Sequence, residues 1–76
     1  MNLHLIRPLA PAHAASLIAA QVAAGLPVTV VLVDGASPVD VVAAHVAVGE
    51  GVPQAEAVTW ERVLELTFAA DNVAVW

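Results

Sequence analysis

The sequence predicts an α/β domain with a small, mostly parallel sheet of four or five strands. Two observations carry this. Short β-branched runs alternate with alanine- or leucine-rich stretches of helical character along the whole chain, the order that builds parallel βαβ units. The run Val28–Val33 is apolar but for Thr29 and does not alternate strictly, as expected of a strand covered on both faces. With 76 residues, and no repeat or low-complexity linker, the chain reads as a single domain over residues 1–76.

The elements follow in order. Asn2–Ile6 is a short apolar run closed by Arg7-Pro8 and reads as a buried first strand. Pro11 suits the first turn of a helix. Residues 12–24 are strong helix formers, and Gly25 is a natural C-terminal cap. Leu17, Ile18 and Val22 give this helix its bulk, but alanine covers almost every face, which implies burial on more than one side. Pro27 opens the second strand, and Asp34-Gly35-Ala36 turns the chain.

Ser37-Pro38-Val39-Asp40 has the makings of a helix start: a capping hydroxyl, a first-turn proline and a carboxylate at the positive dipole end. A short helix over residues 38–44 is therefore expected; residues 45–48 either continue it or form the third strand, and their alternation favours the strand. The segment Gly49-Glu-Gly-Val-Pro53 breaks the chain. A short strand over residues 55–58 precedes the clearest helix. Thr59 caps it, and Trp60, Val63, Leu64, Thr67 and Phe68 form one stripe opposite Glu61, Arg62 and Glu65. Asp71-Asn72 ends that helix, and residues 73–76 form a last strand.

Composition narrows the function. Apolar residues make up 61% of the chain and charged ones 12%, against an ordinary charged fraction of about 25%. A domain this small buries only roughly 60–65% of its unfolded surface, so apolar surface must remain outside, and such patches mark association sites. A homo- or hetero-oligomer is expected. No residue between 8 and 33 is charged, but prolines, polar residues and a β-branched half interrupt the stretch. A membrane span, which needs about 20 apolar residues in a row, is therefore not expected, and the chain reads as soluble and cytoplasmic. Two basic residues against seven acidic ones give a net charge of −5. Direct nucleic-acid binding is disfavoured, because it depends on cations neutralising phosphates.

No residue set specifies a reaction. Residues at the carboxyl ends of parallel strands are the natural ligand contacts, which singles out Arg7, Asp34 and Gly35, with Gly49-Glu50-Gly51 beside them. An Arg7–Asp34 pair reads as a salt bridge closing the sheet edge or as part of an anion site. His4, His13 and His45 lack metal spacing and read as hydrogen-bonded structural residues, so no metal is expected. Ser37 and Thr59 read as caps, and no base is placed to activate a hydroxyl. Gly49-x-Gly51 lacks the third glycine of a dinucleotide loop. No cofactor is expected. Trp60 and Trp76 read as structural or interface residues.

Four segments stand out, spaced from the first strand to the last: Leu3-His-Leu-Ile6, Leu32-Val-Asp34-Gly35, Thr59-Trp-Glu-Arg-Val-Leu-Glu-Leu and the closing Asp71-Asn-Val-Ala-Val-Trp76. They resemble the DsrH/TusB family of sulfur-relay proteins, within the DsrE/DsrF/DsrH-like group. The resemblance implies a three-layer α/β/α fold and assembly with DsrE- and DsrF-like (TusD- and TusC-like) subunits. It places the persulfide-bearing cysteine chiefly on the DsrE/TusD-type partner, with sulfur passing to wobble 2-thiouridine of tRNA or into oxidative sulfur metabolism. Residues 39–54 are shorter than that family leads one to expect. The chain has no cysteine at all, so it carries no sulfur itself. The expected function is that of a non-catalytic subunit in a sulfurtransferase complex. The alternative is a standalone homo-oligomeric module binding a small anion or metabolite.

Overall fold

A computed structural model describes residues 1–51 and 55–76. Its elements are β1 (Asn2–Ile6), α1 (Ala12–Ala23), β2 (Val28–Val33), β3 (Ala44–Val48), β4 (Glu56–Ala57), α2 (Trp60–Ala69) and β5 (Asn72–Val75). All five strands are parallel, in the order β4-β3-β2-β1-β5. The predicted α/β class and sheet size therefore hold. No described helix is long and apolar enough to cross a membrane. Val52 and Pro53 of the anticipated break lie outside the described residues.

Register assigns the sheet's two faces. Leu5, Val31 and Val46 are cross-strand neighbours, as are Leu3 with Thr29 and Val33 with Val48. Because side chains alternate along a strand, these share one face, where Val63, Leu66 and Ala70 of and beside α2 pack on Leu3, Val31, Val33 and Val48. Ile6, Val28, Val30 and Leu32 form the opposite face and take Ala14 and Ile18 of α1. With one helix on each face, the domain has three layers. Both faces of β2 are covered, which is why its run is apolar but for the half-buried Thr29.

The helix ends follow their local chemistry. Gly25 adopts φ +78°. Behind it Leu26 N–H donates to Gln21 O (3.1 Å) and Gly25 N–H to Val22 O (3.0 Å), the Schellman closure that a glycine permits. At α2 the Thr59 Oγ1 accepts from Arg62 N–H (3.2 Å), the expected cap.

Two expectations are corrected. Residues 38–44 form no helix, and Ser37 caps nothing. Val39, Val41 and Ala43 instead pack in alternation on the α1-side core, while Asp40 and Val42 stay exposed. A period of two suits extended chain lying on a sheet, and a valine-rich segment gains little from helix. His45 secures it: its Nδ1–H donates to Ala43 O (2.9 Å) and its Nε2 accepts from Val39 N–H (3.3 Å).

The inward stripe of α2 also differs. Val63 is its buried residue, with Leu66 and Thr67 half-buried, whereas Trp60, Leu64 and Phe68 are 54%, 56% and 83% exposed. Val63, Leu66 and Ala70 satisfy the same helical period as the anticipated stripe. The sheet selects the smaller set and leaves the larger one outside.

Candidate functional site

The connections make one place on the sheet distinctive. From β1 the chain moves through α1 to β2 and on to β3 and β4. It then returns through α2 to β5 on the other side of β1. Beyond the carboxyl ends of β1 and β5 lies the switch point, where open parallel sheets hold ligands. A cleft of about 460 Å3 lies there, lined by Arg7, Pro8, Leu9, Pro11 and Trp76.

Trp76 is its fixed wall. The indole Nε1–H donates to His4 Nδ1 (3.1 Å), and His4 Nε2 lies 2.7 Å from Gln21 Oε1 of α1. Since the indole nitrogen only donates, His4 must accept at Nδ1, which puts the imidazole proton on Nε2, donating to Gln21. His4 is 2% exposed, and this arrangement satisfies both ring nitrogens, as burial requires. The indole also lies parallel to His4 at 6.3 Å between centroids and meets the edge of His13 at 5.2 Å. Two elements, β1 through His4 and α1 through His13, thus converge on one aromatic residue of the chain's last segment.

Arg7 follows β1 directly, and its Nε donates to Trp76 O (2.6 Å). Among the described residues no Asp or Glu side chain lies within salt-bridge distance of Arg7, whereas Arg62 pairs with Glu65 at 3.0 Å. Below the other end of β5, Asp71 accepts from the Met1 ammonium. That hydrogen bond, with the positive charge it carries, holds the Asp71 carboxyl below its ordinary pKa.

Although β1 and β2 are neighbours, Arg7 and Asp34 do not pair. Asp34 Oδ1 accepts from Glu50 N–H (3.1 Å), and Asp34 N–H donates to Val48 O (3.0 Å). The acidic turn is therefore tied to the β3 end and not to β1. Gly35, at φ +82°, meets the Gly49–Gly51 loop backbone to backbone. A Cβ at Gly51 would stand 2.7 Å from Gly35 Cα, so these glycines serve close loop packing. A second recess of about 210 Å3 beside them, lined by Gly35, Gly49, Glu50, Gly51 and Val58, bears one exposed carboxylate and no cation.

Of the residues singled out from sequence, Arg7 and Trp76 come together, Asp34 and Gly35 form a separate turn, and Trp60 stands outside on α2. Sequence reasoning did not find the His4–Gln21–Trp76 chain, because it joins positions 17 and 72 residues apart. Among the described residues, no three histidine or acidic side chains converge as metal ligands would. Comparison with protein-family models, curated proteins and solved structures finds no match.

Proposed function

We propose that this chain is a non-catalytic subunit that docks on a cysteine-bearing sulfur carrier of the DsrE/TusD type, in company with a DsrF/TusC-like subunit. The observation that carries this reading is the outer stripe of α2. Trp60, Leu64 and Phe68 recur every four residues on one side of the helix, largely in solvent. Aromatic residues concentrated in one exposed apolar stripe are the composition of an interface core. Two further observations support it: the three-layer α/β/α sheet is the fold such a subunit requires, and a chain without cysteine has no thiolate to carry sulfur. Covering the carrier's apolar flank would protect its exposed thiolate from over-oxidation. Delivery of the sulfur to tRNA wobble uridine or to sulfur oxidation belongs to the same proposal, with any RNA held by another subunit.

The test is co-purification with a DsrE-like and a DsrF-like protein, followed by radiolabelled sulfur from a cysteine desulfurase. A stable complex in which only the cysteine-bearing subunit is labelled is the expected result. A complex that forms equally well with Trp60→Ala and Phe68→Ala would refute docking through α2.

The switch-point cleft favours a second reading, a module binding a small anion or metabolite against the Arg7 guanidinium and the Trp76 ring. Quenching of indole fluorescence by a small carboxylate, abolished in Arg7→Gln, together with no binding to either candidate subunit, would decide for it.

A further inference from the structure

The free edge of the sheet has a self-complementary pattern. In a parallel ladder alternate residues of a strand aim both main-chain groups at the neighbour. Trp76 N–H donates to Leu5 O (2.9 Å), so Asn72 and Ala74, in the same phase, face β1, and Val73 and Val75 aim their N–H and C=O groups outward. Edge strands of this kind are ordinarily blunted by brevity, charge, proline or a bulge. The other edge, β4, has only two residues and one is Glu56. The β5 sequence Asn-Val-Ala-Val contains no charge and no proline, and its register with β1 runs unbroken from Asn72 to Val75. Val73 and Val75, on the α2 face, are 42% and 60% exposed.

We propose that β5 pairs antiparallel with β5 of a second copy, about a two-fold axis at Ala74, joining two five-stranded sheets into one of ten. Val73 of each copy then lies opposite Val75 of the other, and their outward main-chain groups bond. Ala74 meets Ala74 at the centre, in a non-hydrogen-bonded pair where opposed side chains come closest. The four valines form one apolar seam on the α2 side.

Charge sets the orientation. Asp71 lies just below β5 and Arg7 is anchored to Trp76 at its top. In this register Asp71 of each copy falls beside the end that carries Arg7 of the other, giving two opposite-charge contacts. A parallel arrangement would set like against like. Met1 engages Oδ2 of Asp71, leaving Oδ1 for the second copy. The pairing requires no other subunit and does not depend on the sulfur-relay reading.

Because the chain has no cysteine, a single introduced thiol reports on the axis directly. Opposed residues in a non-hydrogen-bonded antiparallel pair have Cα atoms about 4.5 Å apart, within disulfide range. Ala74→Cys should oxidise quantitatively to a disulfide-linked dimer, whereas Ala20→Cys, on the exposed side of α1, should remain largely a thiol. Sedimentation equilibrium of the unaltered chain should show a dimer at about 100 μM, with concentration-dependent melting. Val75→Lys should weaken dimerisation by roughly tenfold or more, as should Arg7→Glu, and Arg7→Glu combined with Asp71→Arg should restore much of it. A folded monomer of the unaltered chain at that concentration would overturn the proposal. So would Ala74→Cys linking no faster than Ala20→Cys, or a charge exchange that fails to rescue.

Discussion

Trp76 shows how one residue's stability depends on a partner far away in sequence. Replacing it with phenylalanine keeps most of the ring but leaves His4 Nδ1 buried without a donor, a loss of about 1–2 kcal/mol. Alanine removes the ring as well and should cost about 2–4 kcal/mol, because the residue is only partly buried. Urea unfolding of both variants tests the order, and equal losses would mean that the His4 bond contributes nothing. The glycines offer a second comparison. Gly25→Ala meets open space at φ +78° and should cost about 1 kcal/mol. Gly51→Ala, at φ +116° and pressed on Gly35, should cost more than about 2 kcal/mol. Asp71 adds a pH effect of known sign. Its folded-state pKa is depressed, so its contribution is present above its ordinary value of 3.8 and is lost as pH falls through the lower folded value. Asp71→Asn should therefore reduce stability at neutral pH and converge with the unaltered chain in strong acid. Unfolding of the dilute chain across that range measures it.

Among the elements, α2 separates local from tertiary information most clearly. Its start at Thr59 and its helical period are readable from spacing. Two apolar arcs share that period, however, and residue size alone does not say which one faces the sheet. The strands beneath accept Val63 and Leu66, leaving Trp60, Leu64 and Phe68 outside. Trp60→Ala in the isolated chain should thus change unfolding free energy by less than about 1 kcal/mol, while weakening association with a partner by about 2 kcal/mol or more. Calorimetric titration beside a melt distinguishes these, and a large loss of intrinsic stability would contradict the exposed placement. Residues 38–44 teach the opposite lesson. Their capping signals are real but weak, and the packing of Val39, Val41 and Ala43 on the sheet, held by His45, outweighs them.

At the scale of the whole molecule, the apolar composition is reconciled with a small core by what the domain leaves outside. The exposed Trp60, Leu64, Phe68, Val73 and Val75 belong to α2 and β5, and both Val73 and Val75 lie on the sheet face that α2 covers. Association should therefore stabilise the chain by mass action, raising Tm with protein concentration or with added partner. A Tm independent of both would show that this surface stays solvated.

The sequence by itself determined the strands Asn2–Ile6 and Val28–Val33, the helix ends at Gly25 and Thr59, the α/β class and the impossibility of thiol chemistry. Each depends on local propensity, short-range capping or the mere presence of an atom type. The tertiary structure alone decided the rest. It turned β5 back to the far side of β1, so that Arg7 met Trp76 and not Asp34. It also locked His4 between Gln21 and Trp76, and it chose which arc of α2 to bury. These outcomes depend on strand order and on which surfaces meet, and neither is encoded in any window of neighbouring residues.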